Sequence, residues 1–371
     1  MRPGSAEHAG DGHRHRALRG LDPAIRDANG HHGRKGSVPV RVTRRLVDDE
    51  HGAVAVLVAL CSVLLFGFVA LVIDAGAIWQ TRRDLVTATD AAALAAASDY
   101  ATRGNGCSST AASMMTKNVL GASVESCVSR TGGTPDSGLV TVRGGKTVQF
   151  TFASVFGLDE ERVRSTTTAE WGQPSAALGL RPLALCIAAS PQFLTWLNLP
   201  AGPTGPSQTL RITYGKSQPF GCGWAPGNWG ELDFNGGPNS NSETRNWMRD
   251  GYPGVVTIGA SVDGNTGAFS NSISSELAAL VSSGSPFAIA VFDWVTGFGS
   301  NSQFHLVAFV NARLVGYRTT GPQASRYLDL VFSLGVLEGI CCQNGVDTGA
   351  RALRICDIDT LTPNTRDARA C

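Results

Sequence analysis

Residues with the chemistry of an active site are few in this chain and far apart. Six of the seven histidines fall within the first 51 residues, and the seventh, His305, stands in "FHLVAFV", a run of strand type. A lone histidine among aliphatic side chains is an ordinary structural group. To act as a base it needs a positioned nucleophile, and a serine nucleophile calls for a strand-to-helix GxSxG elbow. "GASVDG" at 259–264 lacks the second glycine in place. Asp263 and Asp293 are candidate paired carboxylates, whose chemistry depends on their separation. "DFNGGPNSNSE" offers oxygens for calcium from Asp233, Asn235, Asn239, Asn241 and Glu243. Its spacing departs from the EF-hand loop, with ligands at alternate positions and glycine at the sixth, and a turn rich in Asn and Gly accounts for it better. Trp224, Asn228 and Trp229 in "CGWAPGNWG" have the composition of a patch that stacks on sugar, or of a plug packed beside Cys222. No GxGxxG or complete catalytic set is present, so the expectation is a protein without catalysis, cofactor or metal.

The cysteines point to bridges instead. Cys61 lies in an apolar run and reads as a small filler. The other eight, Cys107, Cys127, Cys186, Cys222, Cys341, Cys342, Cys356 and Cys371, all follow that run. An even set without a CxxC pair, and with only His305 to help, suits disulfides in an oxidising compartment better than zinc. Spacing suggests Cys107–Cys127 and Cys186–Cys222 as local bridges. The last four then pair among themselves in one of two ways, provided adjacent Cys341 and Cys342 do not join each other.

The apolar run decides the class. Twenty-one residues from Ala53 to Ile73 carry no charge. As a helix they reach about 31 Å, the thickness of a bilayer's hydrocarbon core. A signal peptide has a shorter apolar centre ending in small residues. A single transmembrane helix over 51–73 is therefore expected. Arg34, Lys35, Arg41, Arg44 and Arg45 precede it within twenty residues, against Arg82 and Arg83 after it. That imbalance puts the amino terminus in the cytoplasm and the carboxy-terminal bulk outside. The net charge of +1 gives no general attraction to nucleic acid. Residues 1–50, rich in His and Arg and broken by Gly, are expected to be a disordered cytoplasmic tail, or the product of a start assigned upstream of a true one at Val38, Val40, Val42 or Val47.

"HGAVAVLVALCSVLLFGFVALVIDAGAIWQTRRDLVTATDAAALAAA", residues 51–97, resembles the amino-terminal segment of TadE/TadG-like proteins of the Tad (Flp) pilus-assembly system. The shared marks are Gly52 opening the apolar run, Asp74 with Gly76 just past it, Arg82–Arg83, and "TDAAALAAA" from Thr89 to Ala97. A second block at 222–254 resembles the exported part of actinobacterial members. The resemblance implies a bitopic envelope protein in pilus biogenesis or anchoring, with membrane lipid and the pilus machinery or pilin-like subunits as partners. Two departures qualify it. Pilin-like subunits are cut after a glycine and carry a glutamate five residues on, where this chain has Leu57, so the span is expected to be retained. The DxSxS metal motif of larger relatives is absent; "DGNTG" and "DWVTG" both fail it.

The elements around these marks give an α+β fold. From Asp74 to Ala101 Ala dominates and Pro is absent, so the membrane helix should continue outward. Ile78, Leu85, Ala92 and Ala96 share one stripe, suited to close packing against a like subunit or the chain's own body. "GLVTVRGGKTVQFTF" alternates on either side of Gly144–Gly145 and reads as a hairpin, followed by one helical turn and a strand. A helix on a small antiparallel sheet over 74–172, a linker at Gln173–Pro174–Ser175, and a disulfide-stapled, β-rich α+β unit over 178–371 are expected. In the latter, Ser240 and Glu243 have capping-box spacing and Gly251 ends the helix, while "SISSELAALVSSG" is a second helix closed by Gly284. The leading function is non-catalytic pilus assembly. The alternative is a surface module for cell-wall glycan that uses the helix only as an anchor.

Overall fold

The structure, a computed structural model, describes residues 50–132, 137–188, 191–198, 206–213, 221–223, 230–237, 240–265, 273–322, 325–343 and 345–356. Contacts divide the chain into 1–60 and 61–371. Helix α1, Glu50–Arg103, is continuous for 54 residues, as an uninterrupted run of Ala, Leu and Val without Pro allows. Its halves differ. Every large apolar side chain from Val54 to Ile73 is exposed. From Asp74 onward burial recurs at three- and four-residue steps through Leu85, Ala88, Ala92, Ala93, Ala96 and Ala97. That is one face of a helix.

A short helix, α2 (Cys107–Asn118), folds back from the end of α1, and strands β1 (Ser123–Thr131), β2 (Gly138–Gln149) and β3 (Glu160–Ala177) follow it. All pair antiparallel, β1 with β2 and β2 with β3. The Ala stripe, Cys107, Ala111 and Met115 of α2, and Val140, Val142, Val163, Ala169 and Trp171 of the sheet form one core. Gly144–Gly145, which alternation marks as a turn, lies inside β2 as ordinary strand. The pair is there for close approach: a Cβ on Gly144 would meet Met115 and Thr89, and one on Gly145 would meet Glu125 and Arg162.

Beyond β3 come β4 (Ala184–Cys186), α3 (Pro191–Leu197), β5 (Leu210–Thr213), β6 (Leu232–Asp233) and α4 (Asn241–Asp250). Next are β7 (Val256–Thr257), β8 (Ser261–Gly264), α5 (Ser274–Ser283), β9 (Phe287–Thr296) and β10 (Gln303–Arg318). The last strands are β11 (Tyr327–Ser333), β12 (Gly335–Val336), β13 (Gly339–Gln343) and β14 (Ala350–Ile355). A second sheet runs β4-β9-β10-β11-β5, with β8 on β10 and β6 on β8. Helices α4 and α5 carry the expected ends: Ser240 and Glu243 make a reciprocal capping box, and Gly284 closes α5 in the left-handed region. One face of this sheet packs Phe193, Leu277, Ile289, Val310 and Phe332; the other packs Ala177, Phe292, Phe304 and Phe309.

Gln173–Pro174–Ser175 is not a linker: all three lie within β3. Proline lacks a ladder donor and is tolerated at bulges, and β13 shifts register where Cys341 faces Pro174. Strands β13 and β14 both pair with β3, and β12 pairs parallel with β14. The first sheet is thus completed by strands from the far end of the chain.

Candidate functional site

Beside its apolar stripe, α1 is tied to the rest of the chain by polar side chains at three levels, Asp74, Thr89 with Asp90, and Asp99. Asp74 stands at the first buried position, directly after the exposed apolar half. Its Oδ1 accepts the backbone N–H of Thr151 at 2.9 Å; its Oδ2 accepts those of Phe152 at 3.0 Å and Ala153 at 2.7 Å. These donors open the 3-10 turn Ala153–Phe156, so Asp74 does from another element what an N-cap side chain does locally. Charge-assisted bonds of this kind are the stronger sort.

Fifteen residues on, Thr89 Oγ1 lies 3.0 Å from Ser165 Oγ, and Thr167 donates to Asp90 Oδ1 at 2.7 Å. Asp99 accepts from Thr110 of α2 at 2.7 Å and pairs with Arg103 at 2.8 Å. Of the marks read from the sequence, Asp74 and the Thr89–Ala97 block are therefore brought onto the body. Gly52, Gly76, Arg82 and Arg83 remain exposed on α1, and a Cβ at either glycine would meet nothing. Thr151–Ala153, Ser165, Thr167 and Thr110 escape sequence reasoning. The one signal for them is a carboxylate placed on an otherwise apolar helical face.

The other candidates disperse. His305 Nδ1 lies 2.7 Å from Asp293 Oδ1, and its ring stacks on Trp294 at 5.0 Å. Asp263 faces Gln303 across the ladder, and β10 stands between the strands bearing the two aspartates. Glu243 is engaged by Ser240 and Asn235, and Asp233 accepts from the N–H of Asn235. Burial pushes the Asp233 carboxyl up. Nearby Glu231 is more deeply buried and its carboxyl is pushed up to about 7 by desolvation, against the pull of Asn265 and Thr244. Asn239, Trp224, Asn228 and Trp229 lie outside the described residues.

Disulfides join Cys107 to Cys127 and Cys186 to Cys222. Cys341 and Cys342 are joined to each other, which removes the two pairings otherwise open to the last four cysteines. The register shift of β13 at this point breaks the alternation that would send neighbouring side chains to opposite faces. Cys356 is also disulfide-bonded, and Cys371 lies outside the described residues. Glu170 with Cys341 and Cys342 is the one ligand-like grouping among the described residues, and its two sulfurs are committed to each other.

Among the described residues α1 alone is long and apolar enough to cross a membrane. With the folded part beyond it, that fits a single-pass α+β protein. Residues 52–99 match the model of the family described as putative Flp pilus-assembly TadE/G-like. The chain thus carries a TadE/G-like segment, and the polar ties of Asp74, Thr89, Asp90 and Asp99 all fall within it. Searches of the curated proteins and of the solved structures each give no match.

Proposed function

We propose that this protein is a non-catalytic, membrane-anchored component of Flp pilus assembly. Its amino-terminal side faces the cytoplasm and its folded bulk lies outside. The observation that carries the reading is the division of α1 within the family-matched segment. One half exposes apolar side chains on every side; the other is locked to a folded body from Asp74 onward. A helix of this kind couples what happens in the bilayer to the body outside it. Disulfides at Cys107–Cys127 and Cys186–Cys222 support placing the body in an oxidising compartment. The basic residues preceding the span support the same direction. The partners are membrane lipid and the pilus machinery or pilin-like subunits, and Leu57 at the position of the assembly glutamate supports retention of the span.

Purification of the tagged chain after membrane extraction tests this reading. Pilus-machinery proteins, including a secretion ATPase and small pilin-like subunits, should come with it, and a deletion strain should lose normal pili. A deletion strain with normal pili, and a purified chain that brings none of these proteins, would overturn it.

A further inference from the structure

The loop between β2 and β3 is a small apolar fist held beside the end of the exposed helix. "FTFASVFGL", Phe150–Leu158, has no charged residue, and Val155 is 82% exposed, Phe156 85% and Leu158 59%. Its backbone is largely self-satisfied. Asp74 takes the N–H groups of Thr151, Phe152 and Ala153; Val155 donates to Phe152 O, Gly157 to Ser154 O and Leu158 to Ala153 O. Phe150 N–H meets Asp159 O, closing the neck, and Gly157 turns the chain with φ of +82°. An apolar surface with its amides already paired enters a membrane interface at low cost.

Its level along α1 follows from two contacts. Gly144 lies against Thr89, and Thr151 is bonded to Asp74. Seven residues of strand at about 3.3 Å each match fifteen of helix at about 1.5 Å each. Strand β2 therefore runs alongside α1 toward the apolar half, and the tip past Thr151 lies level with Asp74 and with Ile73, the last residue of the uncharged run. The helix bears exposed Trp79 just beyond that level, before exposed Arg82 and Arg83, the order of side chains found where a span leaves lipid.

We propose that Phe150–Leu158 is a second membrane anchor, seated in the interfacial layer of the leaflet from which α1 emerges. Phe152, Val155, Phe156 and Leu158 enter the boundary between headgroups and acyl chains, and Asp74 holds the tip there. The occupant of this surface is lipid, because the surface is continuous with the apolar half of the helix. Two anchors fix the rotation and tilt of the body on the bilayer, which a single helix leaves free. This inference rests on the membrane-spanning reading of α1.

The test uses the full chain in vesicles of phosphatidylethanolamine and phosphatidylglycerol that carry a photoactivatable acyl chain, with adducts mapped by mass spectrometry. Adducts are expected on 53–73 and on 150–158, and not on the peptide bearing Phe298, an aromatic 70% exposed elsewhere. The double variant Val155→Ser, Phe156→Ser changes only exposed side chains and should lose the tip adducts while keeping those on the span. Asp74→Asn should reduce the tip adducts with span adducts unchanged. Span adducts with a tip no more labelled than Phe298 would overturn the proposal alone, as would cross-links from the tip to a second copy in place of lipid. Absence of span adducts would overturn the membrane-spanning reading and the proposal with it.

Discussion

The core on α1 and the core of the second sheet are built to opposite rules. The first is lined by alanines, with Leu85, Met115 and Trp171 as its few large members, so that a helix and a sheet approach closely. The second is filled by Phe193, Phe292, Phe304, Phe309 and Phe332, all almost wholly buried. Small residues make a core that resists enlargement; large rings make one that resists truncation. The difference follows from the partners. A helix that leaves an apolar span must meet a sheet along many turns, and alanine permits that without forcing the axis aside. The second sheet instead has both faces to fill, with short helices packed around Phe193 and Phe332 on one and strand residues such as Ala177 and Ala350 around Phe292, Phe304 and Phe309 on the other.

Truncation in the second core should have the largest effect. Phe332 packs on Phe193 with ring centroids 4.9 Å apart and on Trp196 at 5.9 Å. Phe332→Ala should cost about 3–5 kcal/mol in denaturant unfolding; a loss as small as that of a surface substitution would break the comparison.

Glu231 sharpens it through pH. Its folded carboxyl titrates at about 7, above the unfolded value of 4.5. The folded state therefore holds the extra proton, and the stability that this one group contributes is fully present below pH 4.5 and is lost as pH rises through 7. The loss is roughly 3 kcal/mol if the shift is fully expressed. Glu231→Gln should flatten that part of the stability–pH curve, with unfolding midpoints followed from pH 4 to 8 as the measurement.

Enlargement of the first core ranks next. Ala93 has no exposed surface, and Ala93→Leu should destabilise by about 1–3 kcal/mol, whereas the same change at an exposed position of α1 should be neutral in a thermal melt. The smallest global effect is expected from Asp74→Asn. It should leave the melting transition nearly unchanged and speed hydrogen exchange at the amides of Thr151, Phe152 and Ala153, which Asp74 accepts.

Much of this protein is written locally. The uncharged run from Ala53 to Ile73, the Ala-rich continuation of α1, the capping box of Ser240 and Glu243, the Gly284 cap, and strands β9, β10 and β11 all follow from short-range pattern. Hydrophobic period and terminal hydrogen bonds involve neighbours within a few residues, so the sequence by itself determines them. Tertiary structure alone decided that Gly144–Gly145 is a close contact inside a strand, that Pro174 sits within β3, that Cys341 joins Cys342, and that β14 completes the first sheet. It also decided what Asp74 does, because its three donors lie 77 to 79 residues away. A carboxylate on an apolar helical face announces that a partner exists, but only the packing of β2 along α1 brings that partner to it.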